Sequence, residues 1–488
     1  MDHLVLHKAA AAGHVESLQW FQDNGIYTTF DTGALVLAAE AGQLEVVQWM
    51  LDRDRTDDKL KDGYGTGIRY DFSRRQTFLT SLGGEAGLAI NSAAVNGHLE
   101  VAKLLHANTE KYRNQVEIDT NESRRLYRMK DLDNCFDMGS TPKDTVREVS
   151  GETMMLAVER GLLDVVKWLY SVYTQYHADR TMNLFWARED VNKNGFISAI
   201  DTNDLQSTYY SVVDAAAGSG HLEIMQYLLQ VGGGDEDEEQ TVNPFRKLRF
   251  WFDMPLKAKC TTAAMDMAAA HGHLGIVQWL HANCSEGCTT AAMDLAAENG
   301  HLEIVKWLHA NRKEGCTSDA MNGASARGHL HVVKWLHEHT TEGCTTDAMD
   351  NAAGGGHLEV LKWLHENRTE GCTAAAMDGA ATGNHVDIVE WLHNHGAECT
   401  TGAMDGVAHG GHLRLLRWLF ESRKEGFTSE ALRNATHNNQ FETALILHNI
   451  AQQGLAKEIE IMDTEQSDDW IAQQYLQMAE KFRTLGFL

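Results

Sequence analysis

The chain has 488 residues, with 42 Lys and Arg against 69 Asp and Glu, for a net charge of −27. That excess of acid opposes attraction to phosphate backbones and anionic lipid. No run approaches the roughly 18 apolar residues of a membrane span, and the N-terminal Met1-Asp-His-Leu-Val carries an early acid, unlike a secretory leader. A cytoplasmic or nuclear protein with neither nucleic acid nor membrane as partner is expected.

From the N-terminus, five segments share a run of small residues closed by glycine and a following helix start. They are Ala9-Ala-Ala-Ala-Gly-His-Val15, Ala38-Ala-Glu-Ala-Gly-Gln-Leu44, Ala93-Ala-Val-Asn-Gly-His-Leu99, Ala157-Val-Glu-Arg-Gly-Leu-Leu163 and Ala215-Ala-Ala-Gly-Ser-Gly-His-Leu222. The uneven spacing of the aligned positions Trp20, Trp49, Leu104, Trp168 and Tyr227 places four insertions at approximately 54–85, 108–150, 171–207 and 231–258. The third insertion contains Asp190-Val-Asn-Lys-Asn-Gly-Phe-Ile-Ser-Ala-Ile-Asp201, which resembles the calcium loop of the EF-hand family. That resemblance implies Asp190, Asn192, Asn194, the Phe196 carbonyl, Ser198 and Asp201 as ligands. Asp201 replaces the usual bidentate Glu and no second hand follows, so a polar turn accounts for the same residues.

Residues 257–454 repeat one pattern seven times, with Trp279, Trp307, Trp335, Trp363, Trp391 and Trp418 in register. A fixed period in this range means a solenoid, since one unit cannot bury its own apolar face and must stack on its neighbours. Within a unit, Thr345 or Thr346 caps a first helix carrying Ala348, Met349, Ala352 and Ala353. Glycines 354–356 end that helix, and His357 opens a second one with Leu358, Val360, Leu361, Trp363 and Leu364. The Trp is expected to fill the space between layers. Cys260, Cys288, Cys316, Cys344, Cys372 and Cys399 recur at one position, about 10 Å apart in such a stack, too far for disulfides. The unit from Phe427 loses Cys, Gly-His and Trp together and reads as a cap, followed over 455–488 by an acidic, amphipathic helical tail.

Ala352-Ala353, Gly356-His357 and Glu359-Val-Leu-Lys-Trp-Leu364 resemble the ankyrin repeat. The family's Thr-Pro-Leu-His is here Asp347-Ala-Met-Asp350, and the unit is about five residues short in the loop that usually forms a β-hairpin finger. The expected fold is therefore all-α: an ankyrin-like helical solenoid of about twelve helix-turn-helix repeats. Its parts are irregular repeats with insertions over 1–256, a regular array over 257–454 and the tail over 455–488.

No phosphate loop, nucleophile elbow, kinase set or paired-carboxylate constellation is present, and no cofactor is expected. The function expected is a non-enzymatic protein-binding scaffold or adaptor. A calcium-modulated adaptor using 190–201 is the alternative, and an enzyme within an insertion the second. Residues that vary while the framework repeats are the candidate contacts: Met267, Leu295 and Asn351 at one first-helix position, His271, Asn299 and Arg327 at its end, and His331 and Arg414 in the second helix. The resemblance implies that the first-helix side binds the partner. The net charge favours a basic protein, and with recognition expected on an extended surface and not in one pocket, a small-molecule substrate is not expected.

Overall fold

The computed structural model describes residues 3–24, 32–59, 85–109, 151–178, 186–188, 209–232 and 258–452. The loop at 190–201, most of the four insertions and the tail at 455–488 lie outside them. The chain divides into two compact units, Met1–Ala264 and Met265–Leu488. The described residues form twelve helix pairs, as the count of small-residue and glycine signals anticipated: five in the first unit, six in the second, and one, Thr262–Ala270 with Leu274–Asn283, that starts before the boundary and ends after it.

In the first unit the pairs are His3–Ala11 with Val15–Asp23, Thr32–Glu40 with Leu44–Lys59, Glu85–Val95 with 99–109, Gly151–Glu159 with Leu163–Ala178, and Val212–Gly218 with Leu222–Gly232. Each of the first four of these first helices packs on the first helix of the next pair. Two three-residue strands, Trp186–Arg188 and Tyr209–Ser211, pair antiparallel with Trp186 opposite Ser211 and Arg188 opposite Tyr209. The fold is otherwise helical throughout the described residues, and this ribbon brings together the two ends of the segment that contains the calcium-loop sequence.

In the second unit the pattern is regular. First helices Ala291–Glu298, Ser318–Ala326, Asp347–Gly354, Ala374–Thr382, Gly402–Gly410 and Ser429–His437 stack in chain order, each followed by its second helix. No strand occurs among the described residues from 265 onward, so the shortened loop forms no finger there. The core of one pair shows why stacking is obligatory. Ala348, Met349, Ala352, Ala353, Val360, Leu361 and Leu364 are all buried, far more apolar surface than helices of eight and ten residues could cover alone.

Alanines at the first-helix contacts let neighbouring backbones approach, and some positions need less than a methyl group. A Cβ on Gly379 would lie 3.2 Å from Gly354 Cα in the preceding repeat. Glycine at the varying first-helix position there permits a close backbone approach that a methyl group would crowd.

Candidate binding surface

Recognition by a solenoid uses side chains that its own joints leave over, so the joints come first. At seven successive junctions an Asp or Asn of one first helix grips the Thr that opens the next repeat. Asp294 accepts from the Thr317 N–H at 2.8 Å and from its Oγ1 at 3.0 Å, and Thr317 Oγ1 in turn accepts from the Asp319 N–H at 3.1 Å. The same rung joins Asp214 to Thr261, Asp266 to Thr289, Asp350 to Thr373, Asp378 to Thr400 and Asp405 to Thr428. Asn322 makes it with an amide, its Nδ2 donating to Thr345 Oγ1 and its Oδ1 accepting from the Thr345 N–H. One threonine thus caps its own helix and ties it to the previous one. Burial pushes the carboxyls of Asp266, Asp294 and Asp405 up from their ordinary range, against the pull of the threonine hydrogen bonds.

A second joint uses the Gly-His pair. Gly356 takes φ +82°, and a Cβ there would lie 2.6 Å from Cε1 of His385 in the next repeat; Gly272, Gly300 and Gly328 stand in the same relation to His301, His329 and His357. The ring that follows each turn therefore sits where the preceding glycine has no side chain. From that seat His385 Nε2 reaches the Gly354 carbonyl at 3.2 Å, and His221 the Glu159 carbonyl at 3.1 Å. The histidine ladder is structural, as identical residues in every layer suggest, and it bridges repeats.

The third joint runs along the second helices. His281, His309, His337, His365 and His393 each meet the Trp of the following repeat edge-on, with ring centroids 5.2 or 5.3 Å apart. At every second junction an arginine adds to it. Arg312, Arg368 and Arg423 place Nη1 3.4 Å from Nδ1 of His281, His337 and His393, and pair with Glu314, Glu370 and Glu425. The hydrogen bonds from Arg312 hold the Glu314 carboxyl down at about 2. Cys284, Thr340 and Gly396 occupy the arginine's place in the intervening repeats.

The cysteines lie beside these joints as free thiols. Burial is the main cause that pushes Cys288, Cys316 and Cys399 up to about 11, which leaves almost no thiolate near neutrality. Peptide mapping after iodoacetamide treatment at pH 7.5 is expected to show these three unmodified in the native protein and alkylated after denaturation. Modification at equal rates in both states would refute their burial as thiols.

The candidate contacts divide according to these joints. His271 turns back to the Met267 carbonyl at 2.9 Å, and Asn299 to the Leu295 carbonyl at 3.1 Å, so both close their own helix. Arg327 binds Glu298 of the preceding repeat at 2.7 Å. Met267 is half-buried, whereas Leu295, Asn351, His331 and Arg414 are exposed. Leu295 and Asn351 lie on first helices, His331 and Arg414 on second helices, so the eight residues do not form one patch.

The ankyrin-repeat family model matches residues 214–321 and 265–350, which contain the rungs from Asp214–Thr261 to Asn322–Thr345 and the turns at Gly272, Gly300 and Gly328. Residues 214–350 of the chain are ankyrin repeats. A solved structure similar to it is the pentatricopeptide repeat protein PPR10 from maize, at 10% identity over 97% of this chain and 68% of that one. Its TM-score is 0.26, which carries no argument about this chain. A comparison with curated proteins finds no match. Among the described residues, no helix is long and apolar enough to cross a membrane.

What the sequence reading missed is the rung. A carboxylate or amide stands 23 residues before a threonine at five of the seven junctions, from Asp266–Thr289 to Asp405–Thr428, and that fixed offset was its available signal. The Asp-Ala-Met-Asp segment was read only as a departure from Thr-Pro-Leu-His.

Proposed function

We propose that this protein is a non-enzymatic scaffold that binds a partner protein on its first-helix side. The observation that carries this reading is the contrast between positions at the joints and positions just outside them. Asp, Thr, Gly, His and Trp are held in place by contacts between repeats. Leu295, 37% exposed, and the exposed Asn351 stand outside that frame on the same face of two first helices. An exposed leucine suits the apolar centre of a modest interface, with Asn351 at its polar rim. The acidic surface of the chain favours a basic partner.

The test is a paired substitution. Leu295→Asp with Asn351→Arg is expected to lower partner capture by the full chain at least about tenfold, the scale of one or two contact residues lost. Thermal melting should be unchanged, because neither side chain is buried in a joint. Full retention of every captured partner would move recognition away from this face.

A further inference from the structure

The second helices carry a charge pattern that the scaffold does not need. Four and one residues before the position aligned with the repeat Trp, three repeats place an acid and a base that neutralise each other: Glu303 with Lys306 at 2.9 Å, Glu359 with Lys362 at 3.1 Å, and Glu100 with Lys103 at 2.9 Å. In helix Leu413–Ser422 the same two positions are Arg414 and Arg417. Both are exposed, and neither forms an ion pair among the described residues. Two like charges at this helical spacing repel each other, in a chain whose net charge is −27. The pair lines a groove of about 440 Å³ between helices Val386–Asn394 and Leu413–Ser422, floored by Leu415 and Trp418, with Glu390 and Glu421 also lining it.

We propose that this groove binds a short acidic peptide segment of a partner protein, one or two carboxylates resting on Arg414 and Arg417 and an apolar side chain on Trp418. Guanidinium groups suit carboxylates because their planar donors can bind both oxygens. The half-buried Trp418 indole, already held edge-on by His393, offers a fixed apolar surface beside them. Glu390 and Glu421 limit the occupant: a polyanion such as nucleic acid would meet their repulsion over most of its length, whereas one or two carboxylates are matched by the two arginines. The site lies on second helices and does not rest on the first-helix reading above.

The probe is a display library of random dodecapeptides, selected on the full chain and counter-selected on full-chain R414Q/R417Q. Peptides specific to the wild type are then synthesised and measured by fluorescence anisotropy. The expected result is a selected set rich in Asp or Glu with one large apolar residue, with affinity roughly tenfold or more lower for R414Q/R417Q, falling with salt, and unchanged in Leu295→Asp. Unaltered thermal melting of R414Q/R417Q shows that the loss is not one of folding. The proposal is overturned if no peptide distinguishes the two proteins, or if the distinguishing peptides are neutral or basic. It is also overturned if a synthetic peptide of residues 458–469, the acidic run Glu-Ile-Glu-Ile-Met-Asp-Thr-Glu-Gln-Ser-Asp-Asp, displaces them and binds more tightly. The occupant would then be this chain's own segment.

Discussion

Replacing Gly356 with alanine is expected to be among the most damaging single changes in the array. Holding an L-residue at φ +82° costs roughly 1–3 kcal/mol, and the new methyl would also meet the His385 ring at 2.6 Å, closer than carbon atoms approach without movement. Gly371 separates the two effects, since its φ is +73° but nothing lies within 4 Å of the Cβ position. Urea unfolding should show Gly371→Ala losing only the backbone part and Gly356→Ala losing distinctly more. Adding His385→Ala should restore the excess in Gly356→Ala and nothing in Gly371→Ala. Equal losses at the two glycines would mean that the histidine seat carries no energy. The next repeat shows the tolerated exception: Asn384 holds φ +58° at the aligned place, consistent with asparagine's ease in the left-handed region.

The second large effect is expected at the rung. Asp294→Ala removes the acceptor for two Thr317 donors in a half-buried joint, a loss of about 1–3 kcal/mol for each group left unpaired, and it should lower the melting temperature by several degrees. Asp294→Asn should do much less, because Asn322 and Thr345 make the same rung with an amide in the next layer. The pH dependence has a definite sign. The folded-state carboxyl of Asp294 is raised above its unfolded value, so its contribution is fully present below the ordinary Asp range and is lost as pH rises through the raised value. Asp294→Asn should therefore lose that part of the decline in stability as pH rises from the ordinary Asp range through the raised value. A variant with the same slope as the wild type would contradict burial as the cause of the shift.

Periodicity explains why so much of the architecture could be read before any coordinates. Thr345, Ala352, Gly356, Val360 and Leu364 act through local rules of capping, close packing and helix termination, and those rules are written within a dozen residues. The partnership of Asp294 with Thr317, or of Gly356 with His385, is not local. Each partner looks complete within its own unit, and only stacking shows that an aspartate serves the next repeat's threonine. The candidate contacts show the same limit. Arg327 varied as a recognition residue would, yet it is bound to Glu298, while Arg417 was not singled out although it lines the groove with Arg414.

The arginine clasp recurs at alternate junctions only, with Arg312, Arg368 and Arg423 facing His281, His337 and His393. Neighbouring repeats in this region are therefore not interchangeable, and the smallest block that restores the original junctions on both sides is a tandem of two. Growth or shrinkage by duplication and loss is matched to even numbers of repeats. An odd step would bring two clasped or two unclasped faces into succession. In this respect the array behaves as a polymer of dimers written into one chain.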